Sequence, residues 1–205
     1  MGATLRRPRE ESRRAAILQV ARDMFSEVGY AASSMSSIAA RLGGSKATLY
    51  KYFPSKEELF AASLEDLIAS HAGELMLPAG GGEDLEKTLT QFCRKITAAM
   101  VSPPLLALFR LVVAESPRFP ELGKAYYDKV VNPGRQRIAA FLQSWIDRGL
   151  LKPVDPLLAA AQLVALCRSD GYSRALANLA PPPSAAQLTA EADAAVAVFL
   201  AAFKA

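Results

Sequence analysis

Three serines, Ser34, Ser45 and Ser55, each stand just before a stretch that reads as a helix, with only ten or eleven residues from one to the next. A serine oxygen in that position accepts a hydrogen bond from a free amide of the first turn. The first stretch, about Ser36 to Leu42, puts Ile38, Ala39 and Leu42 on one face. Gly43-Gly44 then breaks it, because glycine takes the left-handed backbone that closes a helix end. The second, Lys46 to about Phe53, stacks Leu49 and Phe53 on one side. Ala47, Thr48 and Lys51 lie opposite, with Tyr50 and Tyr52 flanking that arc. Lys46 starts nearer the buried side, but its stem is long enough to carry the ammonium to the rim. Pro54 ends this helix, and Ser55-Lys56-Glu57-Glu58 has the spacing of a capping box that opens the next. Two short helices across a glycine turn, with a third close behind, form the layout that sets a helix in the DNA major groove.

The outward groups suit that task. Lysines neutralise phosphates and release counterions, while serine and tyrosine hydroxyls bond phosphate oxygens. Thr48, beside the small Ala47, has the reach for a thymine methyl or a base edge. The competing reading is a solvated helical hairpin whose charges fall there by chance. It leaves the three caps and the Tyr50-Lys51-Tyr52-Phe53 run unexplained.

At this point a family resemblance becomes specific. The segment resembles the DNA-binding domain of the TetR/AcrR-type transcriptional repressors, whose pattern is Ile-Ala-x-x-x-Gly-Val-Ser-x-x-Thr-Leu-Tyr-x-Tyr-Phe-x-(Ser/Asn)-Lys-x-x-Leu. Ile38, Ala39, Gly43, Ser45, Thr48, Leu49, Tyr50, Tyr52, Phe53, Ser55, Lys56 and Leu59 stand in register with it. Upstream, Ile17-Leu18, Ala21, Met24-Phe25 and Gly29-Tyr30 match as well. The likeness is close over residues 12–60 and architectural beyond. It implies DNA contacts at Ser34, Ser45, Lys46, Thr48, Tyr50, Lys51, Tyr52 and Lys56. Gly44 departs from the pattern, standing where the family carries valine, which implies a looser turn. Lys51 occupies a variable position, where operator choice would be made.

Charge supports the same segment. Residues 1–56 hold ten Lys/Arg against four Asp/Glu, whereas residues 57–205 hold fourteen against sixteen. A basic excess confined to the helix-turn-helix is the footprint that DNA requires. The N-terminus is charged and without an apolar run, so no signal peptide is expected. No uninterrupted apolar stretch approaches membrane-spanning length. These features predict a cytoplasmic protein with no membrane association. Cys93 and Cys167 lie apart in separate apolar helices and read as buried structural thiols.

Alanine and leucine dominate while β-branched residues rarely cluster, so the expected fold is all-α with about nine helices. Residues 1–9 read as a flexible basic arm, 10–56 as a three-helix helix-turn-helix domain and 57–205 as a ligand-binding and dimerisation domain. Helix 1 spans roughly Glu10 to Val28, and helix 4 runs from Ser55 to about Leu77. Pro78–Gly82 forms a loop. Further helices are expected from about Asp84 to Val101 and from Leu105 to Glu115. Glu121 to Leu150 is kinked or split at Asn132-Pro133-Gly134, with Asn132 as cap. The last two helices run from Asp155-Pro156 to about Leu179 and from Ser184 to about Phe203.

Those last two helices read as a homodimer interface, with Ala159, Leu163, Leu166 and Ser173 on one and Leu188, Ala192, Ala195, Phe199 and Ala202 on the other. Internal packing within one subunit is the alternative. Family members bind small effectors between helices of this half. The resemblance thus implies a small, largely apolar effector, with Phe92, Ile96, Phe109, Tyr126, Tyr127, Trp145, Cys167, Arg168 and Asp170 as candidate lining. The leading reading is a dimeric repressor released from operator DNA by that effector. An effector-independent DNA binder of the same fold is the nearest alternative. An α-helical enzyme is disfavoured: one histidine and scattered cysteines argue against a metal centre. There is no Gly-x-Ser-x-Gly elbow, Walker loop or dinucleotide fingerprint, and no cofactor is expected. A helical adaptor that binds only proteins would leave the charge segregation unexplained.

Overall fold

The structure, a computed structural model, describes residues 6–72, 77 and 84–205, and side chains from residue 10 onward except that of Ala72. The described residues form eleven α-helices, one π-helical turn and an isolated bridge between Leu151 and Lys204. The all-α expectation holds. The helices are α1 (Arg6–Ala32), α2 (Met35–Arg41), α3 (Lys46–Tyr52), α4 (Lys56–Ala72), α5 (Leu85–Met100), α6 (Pro103–Glu115), α7 (Pro120–Tyr126), α8 (Asn132–Asp147), α9 (Pro156–Leu166), α10 (Asp170–Leu176) and α11 (Ala185–Phe203). The expected Pro78–Gly82 loop and residues 1–5 of the expected arm lie outside the described residues.

From residue 6 onward the arm is already helical. Pro8 sits in the first turn, where its missing N–H belongs to the amides that have no intrahelical partner anyway. Gly29 breaks the other end of α1, with φ +83° inside the span. Ser34, Ser45, Asp84, Asp155 and Ser184 each cap a helix, accepting from a first-turn amide.

Two expectations are corrected. Asn132 is the first residue of α8 and not a cap, and the split before it is a π-helical turn at Tyr127–Val131. In a regular α-helix the Pro133 ring would press on the carbonyl of Lys129. One widened turn ahead of the proline avoids that clash. The helix expected to reach Leu179 ends at Leu166, and α10 starts afresh at Asp170. Glu191 of α11 makes the break, since its carboxylate accepts from Ser169 Oγ at 2.5 Å and from the Gly171 N–H at 3.0 Å. Burial opposes ionisation of Glu191. The hydrogen bonds from Ser169, Gln187 and Gly171 outweigh it and hold the carboxyl below its ordinary range.

The chain divides into two compact units. One comprises residues up to Ser70 together with Ala107–Val130; the other comprises His71–Leu106 with Val131–Ala205. In the first, Ile17, Leu18, Ala21, Phe25, Ile38, Leu49, Phe53, Leu59, Phe60 and Leu64 share a core with Val112 and Leu122. Tyr30 is its hub, with ring centroids 5.2–5.6 Å from Phe25, Phe60 and Phe119. Contacts of this kind contribute about 0.5–1.5 kcal/mol each beyond area burial.

In the second unit, α11 lies along α5 and beside α9, and α9 lies along α8. Leu89, Leu142, Trp145, Leu163, Ala192 and Phe199 are fully buried there. Arg94 fastens α5 to α11 through a two-pronged ion pair with Asp193 at 2.6 and 2.7 Å. Cys93 and Cys167, expected apart, meet in this core. Their mutual hydrogen bond and burial push the Cys93 thiol well above its ordinary range. α11, with 19 residues, is long and apolar enough to cross a membrane by length and composition, although Glu191 and Asp193 interrupt its apolar run. One apolar face of it lies in the core.

That placement also revises the proposed dimer residues. Ala159, Leu163, Leu188, Ala192, Ala195 and Phe199 are buried within the chain itself. Ser173 and Ala202 stay exposed, and the large apolar side chains left outside on α9 and α11 are Leu157, Leu158 and Val198, between 45 and 55% exposed.

Candidate nucleic-acid interface

The reader helix is built from its caps inward. Ser34 and Ser37 cap α2 reciprocally, each side chain accepting from the other's backbone N–H. The turn after α2 is closed by the Gly43 N–H on Ala40 O at 3.0 Å and the Gly44 N–H on Ala39 O at 3.2 Å. Gly43 has φ +62°. This pair of bonds needs a left-handed residue at position 43, so glycine there is a backbone requirement. The turn is therefore well held despite the lost valine at position 44.

Ser45 starts α3 by accepting from the Thr48 N–H at 3.1 Å. Leu49 and Phe53 are 1% and 4% exposed, which fixes the rotation of α3. That rotation turns Lys46, Ala47, Tyr50 and Lys51 to solvent. Lys46 Nζ lies 5.8 Å from the centre of the Tyr50 ring.

The other expected contacts divide. Ser34 and Ser45 are exposed, but their hydroxyls are engaged as caps. Thr48 is half-buried, and its hydroxyl sits 2.9 Å from that of Ser45. Tyr52 is half-buried against the core. Lys56 turns inward. Its Nζ donates to Tyr30 O at 2.9 Å and Ser33 O at 3.0 Å, and it stands 4.0 Å from the Tyr30 ring centre. Desolvation lowers its pKa accordingly. Lys56 thus ties α4 to the end of α1, and its ammonium is committed to that joint. Lys56→Ala should lower stability by about 1–3 kcal/mol, because it strands those carbonyls. A thermal melt checks this, and an unchanged midpoint contradicts it.

Among the described side chains the basic excess resolves into a local array. Arg22 pairs with Asp66, and Arg41 pairs with Glu27. Arg13, Arg14, Lys46 and Lys51 have no carboxylate partner among the described residues, and all four stand beside α3. The Arg14 guanidinium lies 5.4 Å from the Phe53 ring centre. Arg13 lines a narrow cleft with Gly44, Ser45 and Thr48. Both arginines escaped the sequence reading, since their neighbours lie some thirty residues downstream.

The candidate effector residues are not all brought together. Phe92, Trp145 and Cys167 lie in the core of the second unit with Ile96 packed against it. Phe109 and Tyr126 pair in the first unit at 5.9 Å, where Tyr127 is exposed. Arg168 and Asp170 are exposed, with Arg168 5.7 Å from the Tyr172 ring centre. Among the described residues no cluster of His, Cys, Asp and Glu has the makings of a metal site.

Comparison with known proteins agrees with this geometry. The pattern of the "Bacterial regulatory proteins, tetR family" matches residues 17–63, and that of the "AefR-like transcriptional repressor, C-terminal domain" matches residues 87–205. A solved structure described as a TetR-family transcriptional regulator from Mesorhizobium loti is 33% identical, with TM-score 0.79 over 96% of this chain and 99% of its own. The "Flavonoid-responsive Regulator FrrA" is 30% identical, with TM-score 0.81 over 95% and 98%. The "DNA-binding transcriptional repressor TetR" of Mycobacteroides abscessus is 32% identical over 69% of this chain and 72% of its own length. The chain belongs to the TetR family of bacterial transcriptional regulators. Its function is accordingly regulatory and DNA-binding.

Proposed function

We propose that the protein is a cytoplasmic homodimeric repressor that leaves its operator when a small, largely apolar effector binds. The observation that carries this reading is the rotation of α3, pinned by Leu49 and Phe53 so that Lys46, Tyr50 and Lys51 project outward. Two copies related by a two-fold axis would read two half-sites. The exposed apolar side chains Leu157, Leu158 and Val198 support pairing through the outer faces of α9 and α11. Ser34, Ser45, Thr48 and Tyr52 would add hydroxyl contacts at the rim.

On this reading the effector would bind in the second unit, near Phe92, Ile96, Trp145 and Cys167, which share one core. The buried Trp145 Nε1 has no acceptor among the described residues, which supports a polar effector group there. The similar flavonoid-responsive regulator makes flavonoids the first compounds to try. An effector acts by preferring a spacing of the two reader helices that fits the operator poorly. The test is selection of bound fragments from a genomic pool, followed by gel shifts with flavonoids added. Recovery of a two-fold symmetric site that flavonoid releases is the expected result. A bound site that no small molecule releases favours the effector-independent reading. No enriched fragment contradicts both.

A further inference from the structure

Gly44 is the one residue of the helix-turn-helix that departs from the family pattern, and the structure gives it a specific neighbour. A methyl group built on Gly44 would stand 2.8 Å from Arg13 Nη2, closer than real contacts allow. Among the described residues that atom is the only heavy atom within 4 Å of the added carbon outside the glycine's own neighbours. Gly44 needs no left-handed backbone, unlike Gly43. Its bareness therefore serves space rather than conformation. The space is filled by the tip of Arg13, an exposed cation without a carboxylate partner among the described residues. It reaches the cleft lined by Ser45 and Thr48, beside the reader helix.

We propose that Gly44 seats the Arg13 guanidinium at the α2–α3 turn, where Arg13 holds a DNA phosphate next to the bases that α3 reads. The inference rests on α3 being the DNA reader. Arginine suits the role, because its planar fork gives two parallel hydrogen bonds to phosphate and cannot lose its charge. A side chain at position 44 moves the flexible end of Arg13 and leaves the backbone where it is. Stability and DNA affinity thus respond differently to the same substitution. Arg13 then belongs to the positioning contacts: it sets register on the duplex and leaves sequence preference unchanged.

The probe is a duplex recovered by the wild-type protein from a random-sequence pool, titrated by fluorescence anisotropy at several salt concentrations. Arg13→Gln and Gly44→Val should each weaken binding roughly tenfold per half-site, as loss of a charge-assisted hydrogen bond does. Each should also lower the steepness of the salt dependence by about one per arginine displaced. The double variant should bind no worse than either single one, because both remove the same contact. Melting temperatures should stay at the wild-type value. Gly44→Ala, which meets the same guanidinium, serves if the valine variant fails to fold. Unchanged affinity and salt slope in Gly44→Val or Gly44→Ala overturn the inference, and so do losses that multiply in the double variant. If Arg13→Gln binds like wild type while Tyr50→Ala does not, only this inference falls. If the wild-type protein retains no duplex, the reader assignment falls with it.

Discussion

Tyr50→Ala is expected to lower affinity for a selected duplex by roughly a hundredfold while leaving the melting temperature unchanged. Tyr50 is 42% exposed and contributes no side chain to the core, so its removal costs the fold little. Its phenol lies on the outward arc of α3, where a hydroxyl bonds a phosphate oxygen. A two-fold symmetric complex loses that contact twice, and about 1–1.5 kcal/mol each time gives the stated factor. Lys46→Ala should act in the same direction, since its ammonium stands beside the Tyr50 ring. Wild-type affinity for Tyr50→Ala in a gel-shift titration would contradict the assigned orientation of α3.

One position earlier, the expected result inverts. Leu49→Ala should destabilise the first unit by about 2–5 kcal/mol, the range for deleting a buried leucine. Leu49 is 1% exposed among Ile17, Ala39 and Phe53. α3 has only seven residues, too few to persist in water without its packing. DNA binding should therefore fall together with stability, and cooling should restore part of it. Denaturant unfolding and anisotropy on the same preparation separate the two effects. A variant that melts normally yet fails to bind would show that Leu49 does not serve as the pin.

Much of this unit was legible because its signals are local. Ser34, Ser45 and Ser55 announce helix starts to residues three positions away, and Gly43 announces the turn within its own backbone. Lys56 misled for the opposite reason. Its charge and place in the pattern pointed to phosphate, but the carbonyls that hold it lie 26 and 23 residues back. The break between α9 and α10 escaped likewise, since the carboxylate that caps α10 comes from Glu191 on another helix. α11 defeated the choice of face, because alanine, leucine, valine and phenylalanine surround most of its circumference. Periodicity cannot tell which apolar side meets α5 and which looks outward. The candidate effector residues were chosen by chemical type along the chain. Nothing in type alone assigns Phe109 and Tyr126 to one unit and Phe92 and Trp145 to the other.

The most direct test of the central claim is the affinity of the wild-type protein for its selected duplex, measured from 50 to 200 mM salt. Arg13, Arg14, Lys46 and Lys51 beside α3, taken in two copies, predict that affinity falls by roughly 10³–10⁵-fold over that range. A flat response, or no binding even at the lowest salt, would contradict it.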